Sequence, residues 1–185
     1  MIRVLLTGLA LAGAPSMPVG DLKPADPVLR ALMEGDAAQA ADDPAALADT
    51  VQQLSALGAT PAEGQEDLAA RWTAQADAHG AMQQVIPYRG RALGPAYRRG
   101  SLAAGDRITL RQLFLAGQRA QISVASAGTA KLSVRVEGGD GATLCAKPVG
   151  GGQADCAWLP LFTDRYAIVI ENDGQDAAGF YLTMR

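Results

Sequence analysis

The 185-residue sequence is poor in the residues from which most catalytic sites are built. It contains one histidine, His79, two cysteines and 5% aromatic residues. A Ser-His-Asp or Cys-His site would have to use His79, which ends a predicted helix where a cationic side chain interacts favourably with the helix dipole. The sequence also lacks G-x-S-x-G, H-E-x-x-H, P-loop and dinucleotide-binding glycine patterns. We therefore predict that the protein is not an enzyme and uses no metal or cofactor.

The charge balance and the apolar segments narrow the cellular setting. The formal net charge is −3, so the basic excess typical of nucleic-acid-binding proteins is missing. A positive start, an uncharged apolar stretch and two A-x-A patterns are typical of a secretory signal peptide over residues 1–14. The apolar stretch is too short to span a bilayer, and a buried N-terminal helix is the alternative. We expect a periplasmic or secreted protein whose mature form has no membrane span and binds no nucleic acid.

The two cysteines, Cys145 and Cys156, flank a glycine-rich segment and lie on two predicted strands. In an oxidising compartment such a pair favours a disulfide across a hairpin or between facing strands. A metal site would need further ligands nearby, and the histidine is distant in sequence. The spacing is also not that of a C-x-x-C redox pair. We predict a disulfide between Cys145 and Cys156.

Residues 24–84 are predicted to form an acidic helical segment of two or three short helices. Residues 1–86 contain four basic and eleven acidic residues, whereas residues 87–185 contain twelve basic and eight acidic ones. Asp26-Pro27, Asp43-Pro44 and Thr60-Pro61 each place a capping residue before a proline suited to the first helical turn. The glycines that follow predict helix ends. The expected helices span residues 28–34, 44–57 and 61–79.

Residues 85–101 form a connector rich in arginine and tyrosine. Its glycines and proline predict an irregular segment. Arginines interleaved with tyrosines suit phosphate, sulfate or carboxylate groups, so the set is a candidate ligand- or partner-binding site. Alternatively, these arginines pair with the acidic helices and tether the two parts of the protein. The candidate residues are Tyr88, Arg89, Arg91, Tyr97, Arg98 and Arg99.

Residues 102–185 change to the two-residue periodicity of β-strands. The segment 131–137, KLSVRVE, alternates apolar with charged or small residues, and RYAIVIE at 165–171 does the same. Seven such segments separated by turn residues predict an antiparallel β-sandwich with jelly-roll-like or Ig-like architecture. The oxygen-rich segment 171–176 lacks EF-hand spacing and is interpreted as a turn. The fold class is mainly β, with an N-terminal helical segment.

Several segments of this β-region occur in the order seen in a known family. They are Ala116-Gly117, Asp140-Gly141, Pro160 followed by RYAIV and Asn172, and Tyr181-Leu182. Over residues 105–185 the pattern resembles the bacterial pre-peptidase C-terminal domain. The resemblance implies a jelly-roll-like sandwich of a secreted protein with a binding or stabilising role. A basic strand, residues 131–136, stands where that family has an acidic one.

These observations predict a secreted or periplasmic, non-catalytic binding or accessory protein. It engages another envelope protein through its β-sandwich or its Arg-rich connector. The alternative is a carbohydrate- or cell-wall-binding module, which would need Trp158 and the sandwich tyrosines exposed to stack on sugar rings. A third hypothesis, a hydrolase with an unrecognised carboxylate pair, would need an acidic cleft between the helices and the sandwich.

Overall fold

The computed structural model describes residues 23–81, 94–128, 130–150 and 152–185. The predicted signal peptide, residues 1–14, lies outside these ranges. The described chain forms three layers, which are a layer of three helices, a five-stranded sheet and a four-stranded sheet. This architecture confirms the predicted fold class, a β-sandwich preceded by short helices. No helix in the described ranges has the length and apolar character needed to cross a membrane.

The helices are α1 (Pro27–Ala40), α2 (Pro44–Ala56) and α3 (Leu68–Ala78). The Asp26 side chain accepts hydrogen bonds from the backbone N–H groups of Val28 and Leu29, and Asp43 caps α2 in the same way. These carboxylates satisfy N–H groups that have no partner inside the helix. The Asp-Pro signals therefore located two of the three helix starts correctly.

Two of the predicted helix boundaries were wrong, for different physical reasons. Gly35 does not end α1 but lies inside the continuous helix. The glycine is needed there for packing, because a Cβ at this position would overlap the Trp72 ring of α3. Thr60 is not an N-cap, because Thr60 and Pro61 form the short strand β1 and pair with Ala96 and Tyr97. The third helix starts later, where Asp67 caps it through the backbone N–H of Ala70.

The remaining strands build a jelly roll. The five-stranded sheet has the order β1-β2-β9-β4-β7 and the four-stranded sheet the order β3-β8-β5-β6. All strand pairs are antiparallel except β1–β2. Among β2–β9, only β5 and β6 are both consecutive in the chain and paired with each other. Every other consecutive pair in this range is split between the two sheets. The strands are β2 (Ala96–Leu102), β3 (Arg107–Phe114), β4 (Ala120–Ser126), β5 (Leu132–Glu137), β6 (Thr143–Val149), β7 (Ala154–Trp158), β8 (Asp164–Asn172) and β9 (Ala178–Met184).

The molecule has two apolar cores, one on each side of the five-stranded sheet. Alternating residues of both sheets, such as Ile122, Val136 and Ile168, fill the sandwich core. The second core lies between the helices and the outer face of the five-stranded sheet, where Leu29, Leu54 and Trp72 are fully buried. The helical segment therefore packs on the sandwich as a continuous layer.

Candidate interaction surfaces

The candidate residues of the connector fall into two groups. Tyr88, Arg89 and Arg91 lie outside the described residues. Tyr97, Arg98 and Arg99 lie on β2, because residues 96–101 pair with β9 and form regular strand where an irregular segment was expected. The sheet forms here because the β9 backbone supplies partners for β2, which local glycine content does not reveal.

Arg99 and Tyr97 point towards the helices. The Arg99 guanidinium forms an ion pair with Asp36 of α1, and the Tyr181 hydroxyl donates to the other oxygen of that carboxylate at 2.6 Å. Burial raises the pKa of the Tyr181 phenol, and the neighbouring Asp36 carboxylate raises it further. The Tyr97 hydroxyl accepts a hydrogen bond from the Leu68 N–H at 3.0 Å. These side chains bind the helical layer to the sheet.

Asp26 makes the second polar connection between the layers. While one of its oxygens caps α1, the other accepts from Arg185 Nη1 at 2.6 Å and Thr183 Oγ1 at 3.2 Å. Burial by itself raises the pKa of Asp26. Hydrogen bonds from Arg185, Leu29 and Val28, together with the Arg185 charge, outweigh burial and leave the pKa below its ordinary value. Asp26 is therefore a buried carboxylate held in its ionised form by contacts within the fold.

The predicted disulfide is present and closes one side of the sandwich. Cys145 lies on β6 and Cys156 on β7, with the two Cα atoms 5.9 Å apart. Strands β6 and β7 form adjacent edges of different sheets. The bond therefore links the two sheets covalently at this side, next to the isolated backbone bridge between Gly150 and Gln153.

The sandwich aromatics pack against one another. Phe114 lies edge-on to Trp158 and Tyr166, with ring centroids 4.9 and 5.8 Å away, and the Trp158 and Tyr166 centroids are 5.4 Å apart. Tyr166 and Tyr181 are buried and Trp158 is half-buried. Phe162 alone is exposed among the aromatic side chains of the described ranges. The flat aromatic platform required by the carbohydrate hypothesis is missing from this part of the chain.

The polar side chains singled out in the sequence make contacts within the fold. His79 is the C-cap of α3, exposed, with Nδ1 2.9 Å from the Gln75 carbonyl oxygen. In the turn after β8, the Asn172 side chain bonds the backbone of its own turn and of the β2–β3 turn. The described residues contain no His, Cys, Asp and Glu grouping able to hold a metal ion.

No element of the described residues covers the outer face of the four-stranded sheet, and we name it the open face. The strand register sets its residues in rows, with Arg107 beside Glu171, and Val169 between Thr109 and Arg135. Arg135 Nε donates to Glu137 at 2.7 Å, and the same guanidinium lies 3.7 Å from Glu171. A shallow concavity of about 320 Å³ opens between β5, β6 and β8. Its lining includes Ser133, Arg135, Ala146, Pro148, Val169 and Glu171.

A second surface, which sequence reasoning missed, lies at the end of the sandwich where β3, β5 and β7 finish. We name it the apolar end. The β3–β4 and β7–β8 loops are joined there by hydrogen bonds from Ala116 N to Thr163 Oγ1 and from Gly117 N to Pro160 O. All the exposed large apolar side chains of the described residues lie at this end. They are Leu113, Leu115, Leu144 and Leu159, at 46–59% exposure, and Leu161 and Phe162, at 79% and 78%.

No protein-family model matches this chain, and no curated protein does. Similar solved structures include the pre-peptidase C-terminal domain of a Bacillus anthracis collagenase, with 14% identity over 49% of this chain and 89% of that one and a TM-score of 0.42. The Yersinia pseudotuberculosis mitogen is 10% identical over 49% and 84% of the chains, with a TM-score of 0.43. Aeromonas hydrophila PliG, a periplasmic inhibitor of g-type lysozyme, is 20% identical over 49% and 83%, with a TM-score of 0.37.

The pre-peptidase C-terminal domain that the strand motifs resemble is thus among the similar solved structures. At these identities and TM-scores, the likeness extends to no ligand, partner or activity of this chain.

Proposed function

We propose that this is an extracytoplasmic, non-catalytic accessory protein that binds another protein of the cell envelope through the open face. The observation that carries the proposal is the difference between the two sheets. The outer face of the five-stranded sheet is sealed by the helical layer, whereas the open face has no covering element among the described residues.

The chemistry of the open face suits a protein partner. Arginine is enriched in protein interfaces, where its side chain offers both a flat apolar stem and several donors. Arg135 is already held by Glu137 and Glu171, so a partner that contacts it orders few new side-chain rotations. Beside it, the exposed side chains of Ala146 and Pro148 provide an apolar surface for a partner side chain in the concavity.

The remaining parts of the proposal rest on the N-terminal sequence and on the contacts of titratable groups. A signal-like segment and a disulfide together favour an oxidising compartment outside the cytoplasm. Asp26, Asp36 and His79 make contacts that cap helices or join the layers, which supports a structural use of these groups.

Site-specific cross-linking in intact cells tests the proposal. A photoreactive phenylalanine replaces Thr109, an exposed open-face residue, and a matched chain carries it at exposed Gln52 on α2. We expect one discrete adduct from position 109 and none from position 52. Ala146→Glu, which places a carboxylate in the concavity beside Arg135, should reduce the adduct at least fivefold without changing thermal stability.

Two results would contradict the proposal. One is equal labelling from positions 109 and 52, and the other is an adduct unaffected by Ala146→Glu. Retention of the protein on an envelope polysaccharide, abolished by the same Ala146→Glu change, would replace the protein partner with a carbohydrate.

A further inference from the structure

The apolar end calls for an explanation separate from the open face. Exposed leucines scattered over a surface are ordinary, but here every exposed large apolar side chain of the described residues lies at one end of the sandwich. The two most exposed, Leu161 and Phe162, are neighbours in the β7–β8 loop. Continuous exposed apolar patches mark protein or membrane interaction sites.

The loops that form this end are ordered before any ligand binds. The backbone of the β3–β4 loop donates to Thr163 Oγ1 and to the Pro160 carbonyl oxygen, at 3.0 and 2.9 Å. The packed rings of Phe114, Trp158 and Tyr166 support both loops from below. Residues 115–118 and 157–163 contain no charged side chain. Leu161 and Phe162 are therefore presented on a highly exposed, uncharged tip whose two loops are joined by hydrogen bonds.

Exposed arginines lie on the strands next to this tip. Arg111 and Arg165 are exposed diagonal neighbours on β3 and β8, next to Leu113, and neither forms an ion pair with a carboxylate of the described residues. Arg111 precedes Leu113 by two residues, and Arg165 follows Phe162 by three. Arg165 pairs directly with Leu113, and Arg111 lies about 7 Å further from the tip along β3, at about 3.3 Å per extended residue.

The other charges of the β-sandwich favour one orientation of its two ends. Arg119 adds a third exposed cation at the apolar end. The acidic residues there include Asp140 and Asp164, whose carboxylates accept hydrogen bonds from the backbone N–H groups of Ala142 and Arg165. Glu137 at this end is paired with Arg135. The opposite end carries Asp106, Asp173 and Asp176 with Lys131. An anionic surface would therefore attract the apolar end and repel the opposite one.

We propose that the apolar end docks on the surface of an anionic lipid bilayer, with Leu161 and Phe162 inserted at the level of the headgroups and Arg111 and Arg165 against lipid phosphates. Amphipathic interfacial elements bury their apolar side chains about 5–10 Å into the headgroup region, which leaves cations on the adjoining strands near the lipid phosphates. Side chains as exposed as Leu161 and Phe162 can insert into a lipid surface without a complementary cavity, whereas a protein partner would have to supply one. Anionic lipid then strengthens binding through the arginines.

Vesicle binding tests this directly with the mature full-length chain. The probes are large unilamellar vesicles of phosphatidylglycerol and phosphatidylcholine in equal amounts, and of phosphatidylcholine alone, sedimented in 0.1 M salt. We expect binding to the mixed vesicles at least tenfold tighter than to the neutral ones. Leu161→Ser with Phe162→Ser should weaken binding to both at least tenfold. The Phe162→Trp variant should retain binding, and the emission of the introduced tryptophan should shift to the blue when vesicles are added.

The arginines have a matched control on the same strand and face. Arg111→Glu should weaken binding to mixed vesicles about tenfold and leave binding to neutral vesicles unchanged. Arg107→Glu, at the far end of β3, should have little effect on either. Arg111 and Arg165 lie on the same sheet face as Thr109, whereas Leu161 and Phe162 lie in the β7–β8 loop beyond it. The vesicle result for Leu161→Ser with Phe162→Ser therefore does not decide the cross-linking result at position 109, and the reverse holds.

Three outcomes overturn the proposal. The first is no sedimentation with mixed vesicles, and the second is binding that survives Leu161→Ser with Phe162→Ser. The third is a fluorescence shift of Phe162→Trp with lipid-free envelope proteins but not with vesicles, which would assign the apolar end to a protein partner.

Discussion

Removal of the Asp26 side chain should separate the helical layer from the sandwich more than any other single polar change. The residue is almost completely buried, and its two oxygens serve different elements. Loss of the α1 cap costs about 1 kcal/mol. Loss of the acceptor oxygen also leaves the buried Thr183 hydroxyl without this hydrogen-bond partner, which costs about 1 kcal/mol of stability. The same change removes the acceptor of Arg185.

Breaking a buried ion pair costs about 3–5 kcal/mol, but the Arg185 side chain is 36% exposed and can be hydrated again, so about half of the lower value applies. We expect Asp26→Ala to lower the free energy of unfolding by about 3–4 kcal/mol at pH 7. Asp26→Asn keeps an acceptor at the cap position and should cost about half as much.

Urea unfolding followed through tryptophan fluorescence can measure this difference. Trp72 lies in the core of the helical layer and Trp158 in the sandwich, so Trp158→Phe leaves a reporter for the helices alone. In that background, Asp26→Ala should shift the unfolding midpoint further than Asp26→Asn does. Equal shifts, or none, would refute the assignment of separate roles to the two oxygens.

The pH dependence provides a second check on Asp26. Its pKa is lowered in the folded protein, so the folded state binds a proton less readily than the unfolded state. The stabilisation from Asp26 is complete above the unfolded pKa of about 3.9 and is lost as the pH falls below it. The stability difference between the parent and Asp26→Asn should therefore shrink from pH 6 to pH 3. A constant difference would contradict an ionised Asp26.

Two further predictions concern packing and covalent structure. Replacing Cys145 and Cys156 with alanine should lower the free energy of unfolding by about 3 kcal/mol, because the disulfide closes a loop with a sequence separation of 11; thermal unfolding with and without reductant checks this, and unchanged stability would contradict it. Gly35→Ala should cost about 1–2 kcal/mol despite the better helix propensity of alanine, because the added methyl group displaces the buried Trp72 ring; calorimetry of the variant would show no loss if the ring could move freely.

The sequence identified those elements whose signal is local. Alternation in residues 131–137 and 165–171 predicted β5 and β8. Successive side chains of a strand point to opposite faces of the sheet, so a core-facing side and an outer side produce alternation within a few residues. Asp26-Pro27 and Asp43-Pro44 predicted two helix starts, because capping is an interaction across two or three residues. The disulfide was predicted from compartment and spacing together.

The connector and the two surfaces needed contacts that no local pattern contains. Residues 96–102 became strand because β9 lies beside them, about 80 residues later in the chain. Arg99 could have faced a partner or the acidic helices, and its ion pair with Asp36 depends on where α1 packs. The apolar end joins loops whose leucines are scattered between residues 113 and 161.

By itself the sequence determined a mainly β chain with an acidic helical segment, a disulfide and little provision for catalysis, since composition, capping and alternation act over a few residues. Only the tertiary structure decided that the helices seal one sheet and that Asp26 and Asp36 hold them there. It also decided that one sheet face and one end have no cover from the described part of the chain. Burial is a property of the whole assembly, because a side chain is exposed or covered according to elements that the chain brings back from far away.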